Sequence, residues 1–242
     1  MDICILIGLF AHFMADFTFQ TNYIAAKKAE SYFGVFLHCS IVLTVCLISM
    51  IPWGLRGVFL SLCISVFHFG IDCHKLFYTK KYNPSMLEHF YIDQILHVLT
   101  VLLFVTVFDL KSVVPEYLNP PFLIELFKII NALLIVFGAN TIAIVLYMHK
   151  FSLDKQPVSF EGRVRLKNSI CGLFFFLVLF FSSDISFISG LGAAKHVVAI
   201  AMLMPAFYLN FIFNREISKR DRGLKIIFHI IWAIIIFAIF LT

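Results

Sequence analysis

The chain alternates long apolar runs with short polar breaks. The runs fall near residues 3–20, 33–51, 56–74, 87–108, 122–148, 168–186, 196–213 and 226–241. An α-helix needs roughly 20 apolar residues to cross a hydrocarbon core, and each run approaches that length. The pattern predicts an all-α fold: a polytopic membrane bundle of about eight transmembrane helices in a single membrane domain. Its first half, 1–108, and its second half, 109–242, would hold four helices each. Pro52-Trp53-Gly54 leaves room for only a very short turn between the second and third runs. Pro120-Pro121 breaks the chain before the fifth.

Composition agrees. Of 242 residues, 61% are hydrophobic and 14% charged, against about half and a quarter in soluble domains. Mean hydropathy is +0.96. Thirty Phe residues suit lipid-facing surfaces that offer no polar partners. The six cysteines are scattered, without a C-x-x-C pair, and read as packing residues rather than disulfides or a zinc knuckle. The Met-Asp-Ile-Cys start has no basic segment, so a cleaved signal peptide is not expected.

Charge then orients the bundle. Fifteen of the nineteen Lys and Arg residues fall after the first, third, fifth and seventh runs, from Lys27 and Lys28 to Lys225. The opposite loops hold only Arg56, Lys111 and Lys195. By the positive-inside rule the odd loops face the cytoplasm and both termini lie outside. The net charge of +5 therefore reports topology. Spread over four loops, it gives no reason to expect a nucleic-acid partner; the expected partner is membrane lipid. The expected location is a bacterial cytoplasmic membrane.

Against this background the polar residues of the first four runs stand out. The first carries His12, Asp16 and Gln20, the second His38, the third His68 and Asp72, and the fourth Asp93, Gln94 and His97. Residues four apart share a helix face, so three helices would each present a His and a carboxylate on one face. The alternating topology puts all of them at similar depth in the inner leaflet. H-F-x-x-D also occurs twice, at 12–16 and 68–72, as in a weak internal repeat. An Asp at a helix centre costs about 2.5–3.5 kcal/mol to insert, so each needs a partner or a function. Imidazole plus carboxylate is the ligand set of zinc and related metals. The bland alternative is interhelical His–Asp hydrogen bonds, worth about 0.6–2 kcal/mol each. Three pairs and His38 at one depth favour a metal or proton-handling site. The expected ligands, to a divalent transition metal such as zinc, are His12, Asp16, His68, Asp72 and His97. His38 or Asp93 would be the general base, and Gln20 and Gln94 would position substrate. His74 and His89 read as ordinary interfacial histidines. Glu125 and Lys128 should pair, Asn131 and Asn140 should join helices, and Asp184 and Lys195 should reach water.

These motifs resemble the bacterial membrane-protein family called domain of unknown function 3307. Its members carry H-x-x-x-D-F-x-x-Q, a basic segment, a helix opening with L-x-H or a close variant, then H-F-x-x-D and D-Q-x-x-H. Here they are His12, Asp16, Phe17 and Gln20; Lys27 and Lys28; Leu37-His38; His68, Phe69 and Asp72; and Asp93, Gln94 and His97. The resemblance covers roughly residues 8–105. Farther on, Gly190 to Lys195 is similar to a G-x-x-x-A-A-K element of longer relatives, one residue shorter. Their adjacent Glu-Arg pair is interrupted here by Gly162, between Glu161 and Arg163. A more distant likeness to membrane-bound metal-dependent hydrolases implies a metal-dependent hydrolase, and a site in the inner leaflet would suit a lipid or lipid-linked phosphate substrate. The competing expectations are an ion- or proton-coupled transporter or channel and a non-catalytic scaffold. The absence of a Gly/Pro break in the first four runs weighs against a transporter site.

Overall fold

A computed structural model describes residues 1–82, 85–118, 120–151, 162–182, 194–213 and 218–240. Among them there are helices and no strand. Four helical stretches are long and apolar enough to cross a membrane: Tyr32–Tyr82, Met86–Val107, Pro121–Phe151 and Lys219–Phe240. A fifth is added if Ile3–Thr18 and Asn22–Glu30, bent by 89° at their junction, form one broken span. The chain divides into two compact units, Met1–Asn131 and Ala132–Thr242.

The first unit begins with α1 (Ile3–Phe13), which runs into one π-helical turn over Met14–Thr18. After the bend comes α2 (Asn22–Glu30). Thr21 caps it, its hydroxyl accepting from the Ile24 amide at 3.3 Å. Ser31 likewise caps α3 (Tyr32–Met50), accepting from the Gly34 amide at 3.1 Å. Gly34 lets α2 lie close against α3: a Cβ there would overlap the Lys27 carbonyl. A single 3-10 turn, Ile51–Trp53, reverses the chain into α4 (Gly54–Tyr82). Gly54 has φ +56°, the left-handed conformation that glycine adopts without penalty. Thus the 51-residue stretch Tyr32–Tyr82 is a hairpin, with α3 packed along α4. The very short turn expected at Pro52-Trp53-Gly54 is this 3-10 turn. α5 (Met86–Val107) follows. α1 packs on α3 and α5, α3 on α4, and α4 on α5, so four helices enclose a common axis.

This bundle encloses a polar cluster in an otherwise apolar interior and is apolar outside. Its buried residues include four His and three Asp. Large apolar side chains such as Phe36, Phe59, Phe67, Ile95 and Leu103 are exposed. Water would disfavour such a surface, whereas lipid accepts it. The charges separate to two ends. Lys27, Glu30 and Lys80 meet at one, where the Lys80 ammonium donates to the Glu30 carbonyl at 2.8 Å. At the other, Lys111 pairs with Asp2 at 3.2 Å, and Arg56 donates to the Asp109 carbonyl at 3.4 Å.

α6 (Pro121–Phe137) carries the boundary between the units. Its Asn131 amide donates to the Leu6 carbonyl at 2.9 Å, the expected polar glue, and Glu125 pairs with Lys128 at 3.3 Å. A turn at Gly138 separates α6 from α7 (Ala139–Phe151) within the one apolar stretch Pro121–Phe151, which covers the run expected as one span over 122–148. In the second unit α7 packs with α8 (Gly162–Ser182) and with α10 (Lys219–Phe240), and α8 packs on α9 (Ala194–Phe213). Their apolar stretches Leu166–Phe181 and Lys195–Leu209 are shorter than a full span. Phe175, Ala206 and Ala233 form the core. Asn140 meets the His229 ring nitrogen at 3.4 Å. Lys195, expected to reach water, is buried at 5% exposure on α9, a helix packed against α8. Asp184 and Gly190 lie outside the described residues, as does Glu161.

Candidate metal centre

Four helices deliver seven side chains to one place. α1 and its π turn supply His12 and Asp16, α3 supplies His38, α4 supplies His68 and Asp72, and α5 supplies Asp93 and His97. All seven are at most 5% exposed. The His and Asp four residues apart on each helix meet as the helical period dictates. His68 Nε2 lies 3.3 Å from Asp72 Oδ2, and His97 Nε2 lies 3.5 Å from Asp93 Oδ1. In α1 the pair is looser, His12 Nδ1 to Asp16 Oδ1 at 3.9 Å.

Contacts between helices are as close. Asp16 Oδ1 is 3.3 Å from His38 Nε2 and 3.5 Å from His68 Nε2. The two imidazole nitrogens are 3.1 Å apart. Asp72 Oδ1 is 3.6 Å from His97 Nε2. The rings of His68 and His97 stack in parallel, 3.8 Å between centroids.

Two lysines complete the centre. Lys28 Nζ lies 2.7 Å from Asp72 Oδ2, and Lys75 Nζ lies 2.8 Å from Asp93 Oδ2. With neutral imidazoles, three carboxylates and two ammonium groups leave one negative charge. Gln94 donates to Asp16 Oδ2 at 3.4 Å and to Asp93 Oδ2 at 3.3 Å. Each carboxylate thus has one oxygen held by the chain. The other, Oδ1 in all three, is buried without a hydrogen bond, as are both ring nitrogens of His97.

Sequence reasoning counted both lysines as loop charges. Lys75 was detectable: it lies three residues after Asp72 and seven after His68, on the same face of α4. Lys28 had no such signal, because the 89° bend that aims α2 across the bundle end is invisible in a helical period. The expected stripe of His12, Asp16 and Gln20 stops at Asp16. Helix geometry ends at Thr18, and Gln20 lies in the bend, half-buried, off the helical face. Cys39 Sγ comes to 4.0 Å from Asp72 Oδ2; all six cysteines are free thiols.

The donor atoms fit a metal. Zinc bonds of about 2.0–2.2 Å in a tetrahedron place ligand atoms roughly 3.3–3.6 Å apart. Most separations here run from 3.1 to 3.7 Å. Three overlapping sets could hold an ion: His12, Asp16 and His68; His38, His68 and Asp72; and Asp72, Asp93 and His97.

An apolar-surfaced helical bundle with a buried His/Asp cluster is the architecture of a membrane protein with an intramembrane polar centre. Within that class the chain belongs to the family described as "Protein of unknown function (DUF3307)", which matches residues 4–124. The match spans every side chain of the centre. No curated protein and no solved structure matches the chain.

Proposed function

We propose that this chain is a metal-dependent hydrolase of the bacterial cytoplasmic membrane, acting at the cytoplasmic leaflet on a lipid or lipid-linked phosphate. The observation that carries the reading is the group Asp72 Oδ1, Asp93 Oδ1 and His97 Nε2. These three buried atoms face one another with no hydrogen bond. A cation relieves that cost more fully than the long His–Asp contacts of 3.5 and 3.6 Å do. A divalent ion bound there supplies hydroxide at neutral pH by lowering the pKa of a bound water. His12, Asp16, His68, Asp72 and His97 are the ligands. His38 and Asp93, whose ring nitrogen and carboxylate stand at ligand distance, join them rather than serving as bases. Gln94 holds Asp16 and Asp93 in place, and Gln20 takes no part.

A groove of about 610 Å³ between α4 and α5 supports a lipid substrate. Val66, Phe67, Ile71, Ile92 and Leu96 line it, and His74, Lys75, Tyr78 and His89 make it polar toward one end. Asp93 is on its wall. An acyl or isoprenoid chain fits the apolar stretch, and its phosphate would meet the Lys75 ammonium beside the ligands.

The proposed topology has eight crossings with both termini external, from the charge split along the chain. It puts the Lys28 end of the first unit in the cytoplasm. A second reading, an ion- or proton-coupled transporter, gains support from the helix break directly after Asp16. Discontinuous helices mark transporter sites, and this break arises without Gly or Pro.

The test is hydrolysis of a phospholipid and isoprenoid-phosphate panel by detergent-purified protein, with and without chelator. We expect chelator-sensitive cleavage, lost together with the metal in His68→Ala and Asp72→Ala. A metal-loaded protein that cleaves nothing, yet moves ions or protons across liposomes in a His68-dependent way, would replace the hydrolase with the transporter.

A further inference from the structure

We propose that the centre takes two divalent transition-metal ions side by side, with Asp72 as the carboxylate they share. The inference rests on the metal reading above and extends it from one ion to two.

The donor atoms fall into two groups. In the first, Asp16 Oδ1, His38 Nε2 and His68 Nε2 form a triangle with sides of 3.1, 3.3 and 3.5 Å. His12 Nδ1 stands 3.9 Å from Asp16 Oδ1. In the second, His97 Nε2 lies 3.5 Å from Asp93 Oδ1 and 3.6 Å from Asp72 Oδ1. Asp72 belongs to both. Its Oδ1 faces the second group, while its Oδ2 lies 3.3 Å from His68 and 3.7 Å from His38 in the first. Lys28 also holds Oδ2. A carboxylate oxygen has two lone pairs, so the lysine leaves one for an ion.

Ligand number points the same way. A four-coordinate ion uses four donors, and seven residues converge here. Two ions sharing Asp72 divide them. With Asp72 Oδ2 the first group offers five protein donors, one more than a four-coordinate ion uses, so protein alone saturates it. The second has three protein ligands, the number that leaves a position open in a catalytic site. Asp93, one of those three, is on the groove wall, so the second group is the one nearer the route by which substrate would arrive.

Spacing and charge complete the case. Paired catalytic metals sit about 3.5–4 Å apart. The stacked rings of His68 and His97, one from each group, are 3.8 Å apart and within 4° of parallel. The side chains carry one net negative charge with neutral imidazoles. Two divalent ions turn that into three positive charges, which a phosphate ester dianion and one hydroxide offset. The substrate class this favours is a phosphate monoester with an apolar tail.

The experiment loads the full-length, detergent-purified chain with Mn(II), removes free metal, and reads stoichiometry by elemental analysis and coupling by electron paramagnetic resonance. Wild type should hold two Mn(II) per chain and give an exchange-coupled multiline signal. His97→Ala, which strips the three-ligand group, should hold one and give an uncoupled six-line signal while eluting as a monodisperse peak. Should that variant fail to fold, wild-type stoichiometry and coupling decide alone. One ion per chain in wild type overturns the pair and leaves the single-ion hydrolase standing. No ion overturns both. Two uncoupled ions, or two retained in folded His97→Ala, place the second ion elsewhere and overturn the shared-Asp72 arrangement.

Discussion

Replacing Lys28 with Met tests the charge balance of the centre directly. The Asp72 side chain is completely buried, and the Lys28 side chain, whose ammonium lies 2.7 Å away, is 13% exposed. Removing one partner of a buried ion pair leaves the other charge uncompensated, at a cost of about 3–5 kcal/mol. Met keeps most of the apolar stem that packs behind the ammonium, so the loss reports charge rather than a cavity. The slight exposure of Lys28 puts the expected loss near the lower end, about 3 kcal/mol. Bound metal changes the outcome, because an ion at Asp72 replaces the missing positive charge. Zinc stabilises both proteins by mass action, so the deficit narrows only as far as Lys28→Met binds zinc more tightly than wild type, by about 2.7 kcal/mol for a 100-fold difference in affinity. Removing a neighbouring cation should tighten zinc binding. The adjacent Lys27 is the control: its side chain is 43% exposed and pairs with Glu30, itself 62% exposed, so Lys27→Met should unfold as wild type does. The assay is reversible unfolding in mixed detergent micelles, with chelator and with zinc. A Lys28→Met protein as stable as wild type in chelator, or one whose deficit zinc leaves untouched, would refute the reasoning.

Three further outcomes follow from the same geometry. Gln94→Leu removes the donor to Asp16 Oδ2 and Asp93 Oδ2 and should weaken metal affinity or turnover about 10–100-fold without emptying the centre, as read by metal titration. Gly70→Phe places a ring in the groove between α4 and α5, where a Cβ meets nothing within 4 Å. It should raise KM for long-chain substrates while metal content stays at the wild-type value, and an unchanged KM would remove the groove from the substrate path. Reporter fusions at about residue 158 and at the C-terminus should read cytoplasmic and external respectively, and a cytoplasmic C-terminus would overturn the count of eight crossings.

The periodicity of the chain determined a good deal. Helical spacing placed His68 with Asp72 and Asp93 with His97, and the expense of burying a carboxylate in an apolar helix marked those residues as partnered. The apolar runs determined an all-helical, membrane-type bundle, and the turn at Pro52-Trp53-Gly54 was legible from two residues that end helices. Other features were not. The same H-F-x-x-D string is regular α-helix in α4 but passes into a π turn in α1, ending the chain's helical course at Thr18 and detaching Gln20 from the stripe. The turn at Gly138 falls within a run that hydropathy reads as continuous. Lys28, an ordinary loop cation by sequence, enters the centre because the chain turns through 89° between Thr18 and Asn22, so that α2 fits against Gly34 of α3.

The division has a single physical cause. Spacing along a helix sets which side chains share a face, and that is local. Which faces meet, which oxygen of a carboxylate is held by a lysine and which is left open depend on helices brought together from distant parts of the chain. The sequence by itself therefore determined the residue types of the centre and the helices that carry them. Only the tertiary structure decided that Asp72 stands between two groups of donors, with one oxygen toward each.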